Sequence, residues 1–433
     1  MSKKIKRFYI NFLAAANILK RIFLRIIFEK ATPFFTREGN ENQNNAKYEE
    51  VKRSLHQNNG NLIVVFPVID WKFRWQRPQQ IVSRLSKRHF TVIYIAMSLL
   101  EKGRAYENAI DAGRDVATVG LQDHIYQIYL HSEGPLNIYA DMPRGDNLEN
   151  IYFGLASMLE EIRPQKIYYL IHFPGWSHVA YKLQENFGGK MVFDCMDDHS
   201  GFSTNTKEAI QGEEILIQKS NIVIVTSDIL KEKANGLNPA VIQIKNGTEF
   251  EHFFSPVKNG ALDHLGKSLV IGYHGAISDW FDTEIIEYCA REKTEWEYVL
   301  IGDTFGCDIK NCSRLSNVHF LGEKDYKQLP GYLAYFDVCV IPFKMISLTL
   351  ATDPVKFYEY LSAGKPVVTV DLPELRPYGK VCYTASNKEE FLIKLEKAIE
   401  EKDDPALIER RISMAKENSW DSRVKALFSN GVF

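Results

Sequence analysis

The sequence predicts an α/β protein with two doubly wound domains that face each other across a cleft. Short apolar runs rich in Val and Ile recur along residues 59–255 and again along residues 256–410. Segments with helical spacing alternate with these runs, which is typical of parallel strands that helices cover on both faces. A chain of 433 residues is also long enough to form two separate hydrophobic cores.

The first series of strands starts with the apolar run 62–67, which is followed by a loop, a helix from Pro78 and a second run at 91–96. This strand–helix–strand order makes the two strands parallel. The other strands predicted in the first domain lie at 166–171, 191–194, 222–226 and 241–244. Those of the second domain lie at 269–272, 298–301, 318–321, 338–341 and 366–370, and a helical tail follows at 411–433.

The N-terminus has a pattern of its own. Apolar and aromatic side chains follow helical spacing on one side of residues 3–30, with eight Lys or Arg and a single acid among the first 30 residues. The longest charge-free run, residues 8–19, is too short to span a bilayer. We expect residues 1–35 to form a helix that lies on an anionic membrane surface, with packing on its own domain or on a partner as the alternative. The Asn-rich residues 36–58 predict a flexible linker.

Composition and charge exclude several function classes. The formal net charge is −2 overall and −9 after residue 30, so we expect no binding of nucleic acid. The six cysteines lack the paired spacing of a metal site, and we expect no metal and no cofactor. No Gly-x-Gly-x-x-Gly motif follows an early strand, which disfavours an NAD-dependent oxidoreductase. The absence of a secretory signal pattern favours a cytoplasmic location.

The most informative segment is a short helix that begins at Pro354. Asp353 is predicted to cap its start and Gly364 to end it in a left-handed conformation. Lys356 and Glu359 are three residues apart and therefore share one face of the helix near its N-terminus. The helix dipole and Lys356 favour a phosphate there, and Glu359 can accept hydrogen bonds from both hydroxyls of a ribose. The alternative is an exposed ion pair of little energetic weight.

The loops that follow the predicted strands provide a context for this helix. Ligands of doubly wound sheets bind beyond the carboxyl ends of the strands, so two such domains in tandem bring these loops to a common cleft. The loops concerned are 67–77, 172–178, 194–202, 273–279, 302–305 and 342–354. Because the helix follows the last of them, its N-terminus is predicted to point into the cleft.

Seven stretches, taken in order, resemble the GT-B glycosyltransferases of the family 1 and family 4 type that build bacterial surface polysaccharides. They are WQRPQQ at 75–80, FDCMDD at 193–198, VTS at 225–227, KNGTEF at 245–250, NVHFLG at 317–322, FDVCVIPF at 336–343 and the segment 354–368. The resemblance implies two Rossmann-like domains, with residues 59–255 binding the acceptor and residues 256–410 binding a nucleotide-sugar donor.

The same resemblance implies roles for residues of the second domain. Glu359 would hold the ribose hydroxyls, Lys356 the diphosphate, and residues 273–276 would form a glycine loop near the phosphates. The donor-binding set is then Glu359, Lys356, His274, Gly275, Thr352 and Pro354. Many retaining members carry a second glutamate eight positions before the ribose-binding one. Ala351 occupies that position here, which leaves the donor sugar and the stereochemistry open.

Candidates for catalysis come from the first domain. Asp197 follows a predicted strand in a loop that faces the cleft, and we expect it to be the base that deprotonates the acceptor. Asp198 is the neighbouring alternative, and each could instead cap the next helix. His172 also follows a strand, where related retaining enzymes place a histidine near the donor sugar; a partly buried histidine without a catalytic role is the alternative.

A loop rich in aromatic and basic residues suggests where the acceptor binds. Trp75 could stack on a sugar or a lipid carrier, Arg77 could contact its pyrophosphate, and His178 could also contact the acceptor. The alternative is that such aromatic residues pack the loop against its own helix.

The prediction is a peripheral enzyme at the cytoplasmic face of the membrane. It would transfer a sugar, without a metal, from a nucleotide-sugar to a lipid-linked or other glycan acceptor. A sugar-nucleotide epimerase and a non-catalytic scaffold subunit, both of GT-B type, are the alternatives, and the substitution at Ala351 favours the scaffold to some extent.

Overall fold

The computed structural model describes residues 48–139, 142–202 and 206–433. The predicted membrane-surface helix, residues 1–35, and most of the predicted linker lie outside these ranges. The end of the predicted linker is helical, because α1 spans Glu49–Gln57 and buries Val51 and Leu55. The prediction of a flexible linker is therefore wrong for these residues, since two apolar side chains one turn apart are enough to anchor a polar segment.

The first domain is an eight-stranded sheet in the order β10-β9-β8-β7-β1-β2-β5-β4. Every neighbouring pair is parallel except β4 and β5, which form an antiparallel edge. The strands of this sheet are β1 Asn61–Phe66, β2 Thr91–Ile95, β4 Ala117–Gln122, β5 Ile125–Tyr129, β7 Lys166–Ile171, β8 Lys190–Cys195, β9 Ile222–Val225 and β10 Val241–Gln243. Two short strands, β3 Leu100–Glu101 and β6 His131–Ser132, pair separately.

Helices connect the strands of the first domain. They are α2 Arg77–Ser86, α3 Ala109–Asp115, α4 Gly145–Ile162, α5 Ser177–Phe187, α6 Lys207–Lys219 and α7 Asp228–Asn235. A short helix, α8 Phe250–Phe253, follows β10 in the connection to the second domain. The strands β1, β2, β8 and β9 are buried along all or nearly all of their length, as expected for the centre of a parallel sheet with helices on both faces.

The second domain is a six-stranded, fully parallel sheet in the order β13-β12-β11-β14-β15-β16. Its strands are β11 Val270–His274, β12 Glu297–Ile301, β13 Val318–Phe320, β14 Val338–Ile341, β15 Val367–Val370 and β16 Cys382–Ala385. Its helices are α9 Thr283–Glu292, α10 Leu329–Leu333, α11 Ser347–Leu350, α12 Val355–Ser362, α13 Lys388–Glu400 and α14 Pro405–Glu417. The strand order reverses between β11 and β14, so the loops after these two strands border the position where such sheets bind ligands.

The predicted C-terminal tail is helical and completes the first domain. Its last helix, α15 Trp420–Ser429, buries Trp420, Val424 and Leu427 in the same core as β1 and β2. The Trp420 N–H donates to the carbonyl of Thr248, which anchors the helix at the connection between the domains. The chain therefore crosses between the domains a second time at its end.

The predicted doubly wound architecture is confirmed, with every predicted strand present to within two residues at either end. The sequence prediction missed β3, β4, β5, β6 and β16. Among the described residues no helix is long and apolar enough to cross a membrane.

Candidate active site

The N-terminus of α12 has no side-chain cap among the described residues. Pro354, rather than Asp353, is its N-cap residue. The predicted capping role of Asp353 is wrong. Its carboxylate instead accepts the N–H of Asn246 at 2.6 Å and the hydroxyl of Tyr358 at 2.9 Å, in the connection between the domains. This arrangement leaves the helix dipole free to attract an anion. At the other end, Gly364 has the predicted left-handed conformation, with φ of 70°.

Lys356 and Glu359 occupy the first turns of this helix in a largely dehydrated setting. Glu359 is 8% exposed, and burial raises its pKa to about 8 while Lys356 opposes the shift. Burial lowers the pKa of Lys356 to about 8 against the attraction of Glu359 and Asp197. The Lys356 ammonium lies 4.8 Å from the centre of the Phe343 ring. Both side chains are therefore poised near neutral pH, and both can gain from a ligand that offers phosphate and hydroxyl groups.

Two glycines bring the backbone close to Lys356. Gly275 has φ of +134°, and a Cβ there would lie 2.7 Å from Cε of Lys356. A Cβ on Gly302 would lie 1.9 Å from the carbonyl oxygen of Gly275. Only glycine fits either position, so the predicted glycine loop is packed against the proposed phosphate-binding lysine. The role of Gly302 was missed, although its place directly after β12 is visible in the sequence.

His274 lies between the glycine loop and Glu359. Its Nε2 is 3.7 Å from Oε2 of Glu359 and has no hydrogen-bond partner among the described residues. Burial, followed by the charge of Lys356, lowers the pKa of His274 to about 3, so the ring is neutral. The ring stacks in parallel with Phe253 at 6.0 Å between centroids. His274 is thus a neutral imidazole that can bond to a ligand or to a protonated Glu359.

The other predicted donor-binding residues shape the loop before α12. Pro354 is buried at the N-cap, and the hydroxyl of Thr352 donates to the carbonyl of Leu348 at 2.8 Å. Ala351, in place of the second glutamate, is completely buried. Thr352 and Pro354 thus stabilise the loop that leads into α12.

Asp197 reaches this site from the first domain. It follows β8, and its charge influences the pKa of Lys356. Burial raises the pKa of Asp197 to about 6, with Arg77 opposing the shift and Asp198 adding to it. The loop that carries Asp197 also packs on the second domain, where Phe202 meets Trp280 edge-on at 6.2 Å. Asp197 is thus near enough to Lys356 for its charge to favour the protonated lysine.

Asp198 has the structural role that the sequence left open as an alternative. Its side chain caps the turn His199–Gly201 by accepting the N–H of Ser200 at 3.2 Å. It also accepts from the ammonium of Lys233 at 3.1 Å.

Two of the predicted site residues, His172 and Arg77, are buried in the first domain. His172 is completely buried 3.6 Å from the carboxylate of Asp194, and burial lowers its pKa to about 4. Arg77 is 2% exposed and donates to Asp194, to Asn246 and to the carbonyl of Lys245. These contacts engage the Arg77 guanidinium inside the domain and argue against its predicted role at the acceptor, whereas the role of His172 near the donor stays a prediction. The sheet needs an internal partner for Asp194, and Arg77 supplies it.

The aromatic loop after β1 is packed against its own domain. Trp75 is half-buried and meets Trp71 edge-on at 5.4 Å. His178 is half-buried in the first turn of α5. Phe73 is 59% exposed, and the neighbouring Arg74 forms a 2.5 Å ion pair with Glu323 of the second domain. The loop therefore borders the cleft with exposed groups, while its tryptophans pack inward.

A polar cluster at the domain junction was missed by the sequence analysis. The amide of Gln80 donates to Glu249 at 3.0 Å and to the hydroxyl of Tyr326 at 3.1 Å. The charge of Glu249 also raises the pKa of Glu359. Glu249 lies in the stretch 245–250, which resembles the GT-B glycosyltransferases, but nothing in the sequence connects it to residues so distant along the chain. Across the described ranges, no group of three His, Cys, Asp or Glu side chains is placed to hold a metal ion.

The fold and the site together define a class of enzyme. Two doubly wound domains flank one cleft, and the second carries a cation and a carboxylate on the helix that follows β14. This chain is a glycosyltransferase with the GT-B fold. Its second domain, at residues 270–401, matches the family described as Glycosyl transferases group 1.

Individual relatives agree with this class. The chain is 26% identical over 294 residues to the putative teichuronic acid biosynthesis glycosyltransferase TuaH of Bacillus subtilis (strain 168), covering 62% of this chain and 73% of that protein. Two solved structures share the fold over 85% of this chain and 98% of theirs. They are the sucrose-phosphate synthase of Thermosynechococcus elongatus, with a TM-score of 0.64 at 14% identity, and Anabaena Alr3699/HepE in complex with UDP-glucose, with a TM-score of 0.61 at 15% identity.

Proposed function

We propose that this glycosyltransferase moves a sugar from a nucleotide-sugar to a growing glycan of a cell-surface polysaccharide. The observation that carries the proposal is the arrangement of Lys356 and Glu359 at an uncapped helix N-terminus, within electrostatic reach of Asp197 from the other domain. The similarity to TuaH, a putative teichuronic acid glycosyltransferase, supports the acceptor class, and the fold shared with a UDP-glucose complex supports the donor class.

Binding of the donor follows from the chemistry of the helix. Glu359 accepts hydrogen bonds from the two ribose hydroxyls, and these charge-assisted bonds replace the solvation that the carboxylate lacks in the free protein. The Lys356 ammonium and the free N–H groups of α12 hold the diphosphate. Gly275 lets the backbone approach the phosphates without a side chain in the way.

Transfer requires that charge be stabilised on the leaving group and that the acceptor lose a proton. Asp197 takes the proton of the acceptor hydroxyl, whose oxygen then bonds to the anomeric carbon of the sugar. The bond between that carbon and the diphosphate oxygen breaks, and the diphosphate leaves with the electron pair. Lys356 and the helix dipole stabilise the new negative charge, a role that metal ions play in other enzymes. A carboxylate with a pKa of about 6 is well matched to proton transfer near neutral pH.

The acceptor is proposed to be lipid-linked and the enzyme to be peripheral at the cytoplasmic face of the membrane. Support comes from the basic, amphipathic pattern of residues 3–30, which suits an anionic surface. A lipid-linked glycan would be presented at that same surface.

The decisive experiment is a transfer assay with a panel of UDP-, GDP- and ADP-sugars and a lipid-linked oligosaccharide acceptor, with products identified by mass spectrometry. We expect one donor class to give a product enlarged by one sugar and an equal amount of nucleoside diphosphate. Asp197→Asn should reduce turnover at least 100-fold while nucleotide affinity stays within about twofold. No binding of any of the three nucleoside diphosphates to the wild-type protein would contradict the proposal.

A further inference from the structure

A cluster of three charged side chains includes Asp198, the residue next to Asp197. The ammonium of Lys233, on α7, bonds to Oε2 of Glu213 at 2.7 Å and to Oδ1 of Asp198 at 3.1 Å. Glu213, on α6, is completely buried, whereas the Lys233 side chain is 29% exposed. One lysine therefore joins two helices to the residue next to Asp197.

Removing Lys233 would destabilise the fold, because Glu213 would lose its partner. Burial raises the pKa of Glu213, and the charge of Lys233 opposes that rise. The other oxygen of Glu213 lies 3.6 Å from the thiol of Cys195, which ends β8. A buried charge without its partner destabilises a fold by several kcal/mol. The cluster therefore holds the chain in place at the end of β8.

Asp198 links this cluster to the loop that follows β8. The carboxylate of Asp198 bonds to Lys233 and to both the N–H and the hydroxyl of Ser200, at 3.2 and 2.8 Å. All three bonds are made by Oδ1, so the side chain holds the turn that follows. That turn packs on the second domain, where a Cβ on Gly201 would meet Leu348 of α11 at 2.8 Å. The chain on both sides of Asp197 is thus held by neighbouring residues.

Among the residues that the structure describes, no side-chain hydrogen bond or ion pair sets the direction of the Asp197 carboxylate. The charged groups that face it are Arg77 of α2, Asp194 of β8, Asp198 of its own loop, Glu213 of α6 and Lys356 of α12. Of its acidic neighbours, Asp198 and Glu213 are the two that Lys233 neutralises, while Arg77 neutralises Asp194. Lys233 therefore controls both the position of the loop and part of the field at Asp197.

We propose that Lys233 is a positioning residue for sugar transfer, which holds Asp198 against Glu213 and so directs the Asp197 carboxylate toward the donor site. This inference rests on the proposed function, in which Asp197 is the base. Lys233 touches neither donor nor acceptor and acts only through its neighbours.

The test compares Lys233→Met with Lys233→Arg in the full-length protein, with the donor and acceptor identified by the transfer assay. The methionine keeps the length of the side chain without its charge, and the arginine keeps the charge. We expect Lys233→Met to lower kcat about 10- to 100-fold, with the affinity for the nucleoside diphosphate unchanged within twofold. The acidic limb of the kcat–pH profile should move upward by about half a unit, because unneutralised carboxylates raise the pKa of Asp197. Lys233→Arg should restore most of kcat.

Two further variants separate positioning from folding. Lys231→Met lies on the same helix at an exposed position and should behave as wild type. The double variant Lys233→Met with Glu213→Gln removes the buried unpaired charge and should fold, yet it still leaves Asp198 unheld. We expect its kcat to remain low. A double variant with wild-type kcat and pH profile would overturn the proposal, as would a wild-type profile in Lys233→Met alone.

Asp197→Asn, assayed in parallel, distinguishes the two levels of failure. Full turnover by Asp197→Asn overturns the assignment of the base, and the role of Lys233 with it. An inactive Asp197→Asn together with unchanged kcat in Lys233→Met overturns the role of Lys233 alone.

Discussion

Replacing Glu359 by glutamine should make the nucleotide-free protein more stable and its nucleotide complex weaker. Glutamine keeps the shape of the side chain and removes the charge. Burial raises the pKa of Glu359 from 4.5 to about 8, so the folded protein resists ionisation that the unfolded chain accepts. The fold therefore loses stability at this position wherever the unfolded chain would ionise the group, a cost that a bound ribose would offset.

The size and the pH dependence of this effect follow from linkage. Between pH 4.5 and pH 8 the folded state binds more protons than the unfolded state at this position, so the wild-type protein loses stability as the pH rises through that window. With 1.36 kcal/mol for each pKa unit, the loss in the free energy of unfolding is roughly 3 kcal/mol at pH 7 and below roughly 1 kcal/mol at pH 5. Lys356 loses its attraction to Glu359 in the variant, which reduces the gain. We therefore expect Glu359→Gln to raise the free energy of unfolding by about 1–3 kcal/mol at pH 7 and by little at pH 5.

Urea unfolding without nucleotide, at pH 5 and at pH 7, measures this difference. Glu409→Gln is the matched control, because Glu409 is exposed on α14 and its loss should change stability at neither pH. Affinity for the preferred nucleoside diphosphate, measured by calorimetry, should fall about 10- to 100-fold in Glu359→Gln. An unchanged or lower stability of Glu359→Gln at pH 7 would refute the reasoning, because the carboxylate would then be paired in the free protein.

Three further predictions address the rest of the site. Lys356→Met should lower the affinity for the nucleoside diphosphate about 10- to 100-fold in calorimetry and leave the affinity for the unphosphorylated nucleoside unchanged. An equal loss of affinity for both ligands would show that Lys356 does not bind the diphosphate. Gly275→Ala should lower the free energy of unfolding in urea by about 1–3 kcal/mol and also lower nucleotide affinity, because the new Cβ meets Lys356. Gly134→Ala, which has open space around it, should change neither quantity. Deletion of residues 1–35 should abolish sedimentation with anionic liposomes and preserve nucleotide binding; sedimentation that persists would exclude the membrane role.

Much of the fold could be predicted from the sequence because its strands are buried on both faces. Runs such as residues 62–66 and 338–341 are apolar throughout, and that pattern is specific to the centre of a parallel sheet. The edge strand β4, with the sequence ATVGLQ, is largely exposed and carries no such run. The helix α1 was read as a linker because only two apolar side chains interrupt its polar sequence.

The candidate site was predictable to the extent that its residues are close in sequence. Lys356 and Glu359 share one helix, and their spacing alone places them together. The pairing of Arg77 with Asp194 joins residues 117 apart in sequence, and no local pattern distinguishes a buried arginine from one that awaits a ligand. The same limit explains why Asp353 was expected to cap α12, although its partners lie on the connection between the domains and on Tyr358.

The most direct test of the central claim is a crystal structure of the protein with its preferred nucleoside diphosphate. We expect both ribose hydroxyls within about 3 Å of the Glu359 side chain. We also expect the diphosphate at the N-terminus of α12, beside the ammonium of Lys356. A nucleotide bound elsewhere, or with its ribose turned away from Glu359, would contradict the proposed donor site.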